Sequence, residues 1–302
     1  LEKYKSIADA FKLIMIGCNS IENGMPFDQS QQIASALFSD CQNRLPVNTQ
    51  QQIVAGFSGG SKVACNLAMS QHFFSGLIAC SGAMFENGRF DKNMSVVSVA
   101  GINDFNYHEM VALEKSVDVT HHAFIETDSS HQWPGISDMH DAILFTIMNM
   151  VKQNKLQMQT SVVEDYYHNW LKKINSSVNK ASPGKRFAQL QFGIMCFEGL
   201  TDVTNLKSKL KEIENSDNLR KWRIRSQNML YQEKEMQKML RDAFSNQNLA
   251  WWQKEITDLK IAASNSQDKM MAAMSNRLLG FIGIACCSFA KQLVGENAPE
   301  SD

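Results

Sequence analysis

Residues 53–68 read IVAGFSGGSKVACNLA, and three kinds of local structure are predicted to follow one another in them. Ile53–Phe57 is a short apolar run typical of a buried strand. The glycines on both sides of Ser58 permit a sharp turn. One apolar face then recurs at helical spacing, at Val63, Ala64, Leu67 and Ala68. The stretch therefore predicts a strand, a tight turn and a helix, the unit from which helix-covered sheets are built.

The same alternation extends to both sides of this unit. Short apolar runs bounded by Gly, Asn, Ser or Asp predict strands, and helical periodicity between them predicts the connections. The predicted strands are Leu13–Ile16, Ile53–Phe57, Gly76–Cys80, Val96–Ala100 and Ala123–Ile125. The predicted helices are Gln29–Cys41, Gly60–Ser70, Tyr107–Lys115 and Ser137–Met150. Residues 1–155 are therefore predicted to form an α/β domain with a doubly wound, mostly parallel sheet covered on both faces.

The sequence changes character after Met150, where charged and amide residues increase and helical spacing dominates. Apolar residues recur one turn apart at Tyr166, Trp170 and Ile174, and again at Phe192, Cys196 and Leu200. Breaks are predicted at 182–184, 215–216 and 246–248. We therefore expect an all-α domain over residues 156–302. Its many methionines and tryptophans favour core packing, with a peptide groove or a tetratricopeptide-like array as alternatives.

Composition excludes several classes of function. With 30 Lys and Arg against 31 Asp and Glu, the net charge of -1 offers no field to attract nucleic acid. The longest apolar stretch, Leu278–Ala290, is shorter than the roughly 20 residues of a transmembrane helix, so no membrane span is expected. Seven cysteines without CxxC or Cys/His ligand spacing predict neither a disulfide framework nor a metal site.

Three side chains carry the predicted chemistry. A serine such as Ser58 is a poor nucleophile until a base takes its proton. Asp104 follows the predicted strand Val96–Ala100, and His131 follows Ala123–Ile125. Since parallel strands end at one edge of a sheet, we expect all three side chains to converge there. In that arrangement Ser58 attacks, His131 carries the proton and Asp104 orients His131.

Other roles are open for these residues. Ser58 could simply cap a helix, and Asp104 could be a turn residue, with Asp128 as the alternative acid. A strand histidine points along a sheet face and a helix histidine outward, so His131 in a loop is the best placed. The rival histidines are His72, His108, His121, His122, His140 and His168.

The motifs resemble those of the α/β-hydrolase superfamily, especially its esterase-like and dienelactone-hydrolase-like members. Gly56–Gly60 matches the GFSGG nucleophile elbow, and Gly101–Asp104 matches the acid loop. His131, Trp133 and Pro134 match a histidine loop often written GGHxWP, in which serines stand here at 129 and 130. The resemblance covers residues 1–150. It implies an acyl-enzyme reaction on a small-molecule ester or related acyl substrate, without a cofactor.

The oxyanion of such a reaction needs amide donors. Gly59, at the amino end of the helix, is the first expected donor. A second donor usually follows an earlier strand, and only one predicted strand precedes the elbow. Either the segment Cys18–Gly24, with Asn19, flanks the pocket alone, or an amino-terminal piece is missing and activity is weak. The alternative function is a hydrolase-like scaffold whose helical domain binds a partner protein.

Overall fold

Four parallel strands form the centre of the molecule. The structure is a computed structural model and describes residues 1–22, 24–71, 73–83, 89–177, 181–265 and 267–296. The strands are β1 (Gln52–Phe57), β2 (Phe74–Cys80), β3 (Ser95–Gly101) and β4 (His121–Thr127), in the spatial order β1-β2-β3-β4. Strands β2 and β3 are buried along their whole length. The four apolar runs from Ile53 onward are therefore confirmed as strands of a parallel sheet.

Helices cover both faces of this sheet. In the first half they are α1 (Lys5–Phe11), α2 (Phe27–Arg44), α3 (Gly59–Ser70), α4 (Tyr107–Ser116) and α5 (Ile136–Lys152). Alternate residues of each central strand face opposite sides. Leu77 of β2 packs in the cluster that holds α2, α3 and α4, whereas Ile78 packs in the cluster that holds α5. The predicted α/β architecture with both faces covered is therefore present.

The prediction of a strand at Leu13–Ile16 is wrong. This segment follows α1 as irregular chain, and the four-stranded sheet ends at β1. Its inward side chains, Leu13 and Met15, pack against the core, while Ile14 and Ile16 are 61% and 44% exposed. A continuous apolar run is typical of a buried strand, but an unpaired segment that packs two of its side chains against the core can carry the same run. The apolar run thus indicates which side chains are buried, and not whether the backbone pairs.

The second half is helical where the structure describes it. Its helices are α6 (Thr160–Ser177), α7 (Pro183–Phe197), α8 (Thr204–Glu214), α9 (Asp217–Asn246), α10 (Leu249–Ala263) and α11 (Lys269–Glu296). The predicted breaks are confirmed by caps, because Ser182, Ser216 and Asn248 each accept a hydrogen bond from a first-turn amide. The helical spacing predicted to reach Leu200 is wrong at its end, since α7 stops at Phe197 and Gly199 turns the chain with φ 82°.

Two different hydrophobic clusters involve the second half. Trp170, Phe192 and Phe197 belong to the same buried cluster as α5 and one sheet face. A separate cluster joins α9, α10 and α11 around Leu240 and Leu278. Its members include five of the eight methionines that follow residue 155 and both neighbouring tryptophans, as core packing predicts. The division into domains at residue 155 stays a prediction.

Helix α11 is longer than the apolar run that marked it in the sequence. Lys269–Lys291 spans 23 residues with mean hydropathy 1.4, enough by length and composition to cross a membrane, and 33% of it is buried within the protein. The core helix of a soluble protein satisfies the same criterion. The expected absence of a membrane span therefore stays a prediction.

Candidate active site

Ser58 occupies a strained turn between β1 and α3. It is the N-cap of α3, with φ 54° and ψ -121°, a conformation that side-chain-bearing residues rarely adopt. Backbone hydrogen bonds hold the turn: the Ser58 amide donates to the carbonyl of Cys80 at 2.9 Å, and the Ser58 carbonyl accepts from the amide of Ser61 at 3.0 Å. The hydroxyl is thereby fixed at the carboxyl edge of the sheet.

The two glycines two residues away from Ser58 have different importance. A Cβ atom on Gly56 would lie 2.1 Å from the carbonyl oxygen of Gly60, so only glycine permits this approach of β1 to α3. A Cβ atom on Gly60 would meet nothing within 4 Å. The sequence motif has glycine at both positions, but the surrounding space makes glycine necessary only at position 56.

His131 joins the predicted serine and the predicted acid. Its Nε2 lies 3.0 Å from Ser58 Oγ, and its Nδ1 lies 3.0 and 3.1 Å from the two carboxylate oxygens of Asp104. The three residues are thus joined by hydrogen bonds, although they are up to 73 positions apart in the chain. In this arrangement His131 can accept the hydroxyl proton of Ser58 while Asp104 fixes the ring tautomer.

The acid is completely buried and held by its own loop. Asp104 has 0% exposure, and its Oδ1 accepts a hydrogen bond of 2.8 Å from the amide of Asn106. A Cβ atom on Gly101 would lie 2.2 Å from the carbonyl oxygen of Ser129, so the acid loop and the histidine loop are in direct backbone contact. Ser129 Oγ lies 2.6 Å from Thr127 Oγ1. Ser129 is therefore accommodated in this loop, and His131 reaches Ser58.

Two phenylalanines that sequence reasoning missed hold the histidine ring. The ring centroid of His131 lies 4.7 Å from that of Phe57 and 4.2 Å from that of Phe105. Phe57 directly precedes Ser58, and Phe105 directly follows Asp104. The sequence offered one indication of their role, because each phenylalanine is adjacent to a predicted site residue. Contact on two sides limits the rotation of the imidazole, which keeps both ring nitrogens aligned.

The residues that follow in the histidine loop contact Phe57 and Tyr4. Trp133 is 41% exposed, with its ring centroid 5.6 Å from that of Phe57. The next residue, Pro134, accepts a hydrogen bond of 2.8 Å from the hydroxyl of Tyr4. Burial raises the pKa of Tyr4 to about 12, so this hydroxyl remains a donor at neutral pH. The segment before α1 therefore anchors the histidine loop.

The two predicted substrate-binding residues have different positions. Gly59 begins α3, and its amide makes no hydrogen bond within the part of the chain that the structure describes. This amide lies where the helix dipole is positive. Asn19 lies in an exposed bend after the irregular segment, and no described hydrogen bond joins it to Ser58, His131 or Asp104.

The rival acid and histidines have other partners. Asp128 is exposed and pairs with Lys185 at 3.0 Å. His108 lies 3.0 Å from Glu233, His140 packs on Phe11, and His168 Nδ1 lies 2.8 Å from a carbonyl oxygen of its own helix. His121 and His122 are part of β4, and burial lowers the pKa of both, that of His122 to about 4. His72 lies outside the described residues.

Metal chemistry has no support in the side chains of the described residues. No group of three or more His, Cys, Asp or Glu side chains there is arranged to hold a metal ion. No disulfide joins the seven cysteines, all of which lie in described parts of the chain, and burial raises the pKa of Cys80 and of Cys196. These two buried thiols therefore stay neutral and pack as small apolar groups.

Comparisons of the chain with family models, with characterised proteins and with solved structures found no match.

Proposed function

We propose that this protein is a serine hydrolase of esterase type with an α/β-hydrolase-like fold. The observation that carries the proposal is the hydrogen-bonded chain from Ser58 through His131 to the buried Asp104. Hydrogen bonds within a protein are common, but a serine with φ 54° that contacts a histidine oriented by a buried carboxylate is a combination typical of a nucleophile elbow with its catalytic partners.

The order of the elements gives independent support. Ser58 follows β1, Asp104 follows β3 and His131 follows β4, all at the carboxyl edge of the same parallel sheet. The chain order Ser, Asp, His is also that of the family which the motifs resemble. A serine that merely caps a helix explains neither the strained turn nor the histidine contact.

The proposed reaction proceeds in two halves. Ser58 Oγ attacks the ester carbonyl carbon as its proton passes to His131 Nε2, and Asp104 stabilises the resulting imidazolium. The tetrahedral oxyanion faces the Gly59 amide. His131 then gives the proton to the departing alcohol, leaving an acyl group on Ser58. Water, deprotonated by His131, attacks this acyl group; the bond to Ser58 Oγ then breaks, His131 returns the proton to Oγ, and the carboxylic acid is released. The sequence of steps needs no cofactor.

Hydrolysis of a short-chain nitrophenyl ester tests the proposal. Ser58→Ala should lower kcat by about a thousandfold or more, since it removes the nucleophile. Ser70→Ala is the matched control, because Ser70 lies at the other end of α3, where its hydroxyl donates to the carbonyl of Leu67. A wild-type protein without hydrolysis, or an unchanged Ser58→Ala variant, would favour the alternative in which the helical half binds a partner protein.

A further inference from the structure

Helix α11 of the second half lies directly against the acid loop, defined here as residues 101–105. Arg277 Nη1 donates a hydrogen bond of 2.5 Å to the carbonyl oxygen of Ile102. One residue earlier on the helix, Asn276 Nδ2 donates to Asn103 Oδ1 at 3.3 Å. Residues separated by more than 170 positions therefore meet within two residues of the proposed catalytic acid.

The contact continues one turn further along α11. A Cβ atom on Gly280 would lie 3.1 Å from Cδ1 of Phe105, closer than most side-chain contacts allow. Phe105 also contacts the His131 ring, at 4.2 Å between centroids. Helix α11 therefore touches the acid loop on both sides of Asp104, and reaches the histidine through one aromatic ring.

Arg277 is held in place by a buried carboxylate of α9. Its Nε donates to both carboxylate oxygens of Glu233, at 2.9 and 3.0 Å, and its Nη2 donates to Oε2 at 2.5 Å. Glu233 has 0% exposure and Arg277 has 5%. Burial by itself raises the pKa of Glu233, but hydrogen bonds from His108 and Arg277 outweigh burial and hold the pKa below its usual value. Glu233 is therefore ionised and keeps its partner oriented.

Packing alone does not account for this ion pair. Taking both charges out of water is costly, and well-packed apolar residues of similar volume often stabilise a protein as well or better. Apolar side chains, however, cannot donate to the carbonyl of Ile102. The guanidinium group can, because its planar fork binds Glu233 along one edge and leaves Nη1 for a further acceptor.

We propose that Arg277, fixed by Glu233, is a positioning residue that holds Asp104 in line with His131, so that the helical half is part of the catalytic machinery. This inference rests on the hydrolase function proposed above. Arg277 touches no reacting atom. It acts through the acid loop, whose displacement by about 1 Å is enough to slow such a reaction by up to about a hundredfold.

The double variant Glu233→Met with Arg277→Met separates positioning from stability. Because both charges are removed together, the thermal midpoint should stay within about 5 °C of the wild type. The kcat for a nitrophenyl ester should nevertheless fall by about tenfold to a hundredfold, with KM changed by less than roughly threefold, because Asp104 acts through His131 on the transition state.

A milder substitution with its own control tests the positioning role if the double variant fails to fold. Arg277→Lys keeps the charge for Glu233 but loses the planar fork, and should lower kcat by about threefold to tenfold. Arg225→Lys is its control, because Arg225 of α9 also pairs with a carboxylate, Asp268, but is 54% exposed and away from the loop. This control should keep the wild-type kcat.

Different results would overturn the positioning role and the proposed function. An active wild type whose folded variants keep their kcat, or change only KM, overturns the positioning role and leaves the proposed function intact. A wild type that hydrolyses no ester overturns the proposed function, and the positioning role with it.

Discussion

Asp104 shows how much one residue depends on its surroundings. The same side chain on an exposed turn would be an ordinary aspartate, but here it is buried, accepts an amide hydrogen bond from Asn106 and faces His131. Phe57 and Phe105 restrict the histidine ring between the acid and Ser58. The chemistry proposed for the serine thus depends on contacts made by residues that do not react.

Exchange of the acid for its amide is the first prediction at the residue scale. Asp104→Asn should lower kcat by about a thousandfold or more, because an amide cannot stabilise the imidazolium and favours the wrong ring tautomer. Asp128→Asn is the control, since Asp128 is exposed and pairs with Lys185. Ester hydrolysis by both variants is the measurement. Equal losses in the two variants would show that Asp104 has no special role.

The second residue-scale prediction concerns pH and the neutral His122. Its pKa is about 4 in the folded protein because of burial, against about 6.5 in an unfolded chain. Between these values the unfolded chain binds a proton that the folded protein does not, so stability falls as the pH falls from about 6.5 to 4. The loss should reach roughly 3 kcal/mol at the low end.

Urea unfolding at pH 7 and pH 4.5 measures this effect. His122→Leu should lose less stability than the wild type over this interval, by roughly 2 kcal/mol. His168→Gln, at an exposed position on α6, should behave as the wild type does. A His122→Leu variant with the wild-type pH dependence would show that His122 is not buried in its neutral form.

At the scale of elements, the junction of β1 and α3 is the most constrained contact. Gly56→Ala should lower the free energy of unfolding by about 1–3 kcal/mol, because the added methyl would meet the carbonyl of Gly60 at 2.1 Å. Gly60→Ala should be neutral or stabilising by up to about 1 kcal/mol, as its methyl meets open space on a helix. Denaturant unfolding compares them, and similar effects of both substitutions would contradict the described junction.

The sequence predicts strands and helix ends correctly where a local feature, such as an apolar run or a capping residue, determines them. Apolar runs placed four strands correctly, and capping residues placed the helix breaks at Ser216 and Asn248. The prediction for Leu13–Ile16 was wrong because a continuous apolar run fits both a buried strand and an unpaired segment that lies on the core. Whether the backbone pairs with a neighbour depends on where that neighbour lies, which a local pattern does not contain.

The candidate site was predictable for a related reason. Ser58, Asp104 and His131 each follow a strand, and the ends of parallel strands converge whatever the details of packing. The pair Glu233 and Arg277 gave no comparable signal. Charged residues are common on helices, and the two residues are separated by 44 positions, so only the packing of α9 and α11 on the acid loop shows that they meet.

At the scale of the whole molecule, the sheet and helices α6–α8 share one hydrophobic cluster. We expect Trp170→Ala on α6 to destabilise both by about 3–5 kcal/mol, because Trp170 is 4% exposed within that cluster. Hydrogen exchange of β3 amides should speed up with that of α6. Leu249→Ala, at a residue 73% exposed, is the control. Unchanged exchange in β3 would show that α6 belongs to a separately folding unit.

The most direct test of the central claim is mapping of the adduct formed with a fluorophosphonate probe. Such probes react with serines activated by a neighbouring base, and they do not require the substrate to be known. We expect one adduct, on the peptide that carries Ser58. Labelling should be abolished in His131→Ala, although Ser58 is still present in that variant. An unlabelled wild-type protein, or labelling of another serine while Ser58 stays unmodified, would contradict the central claim.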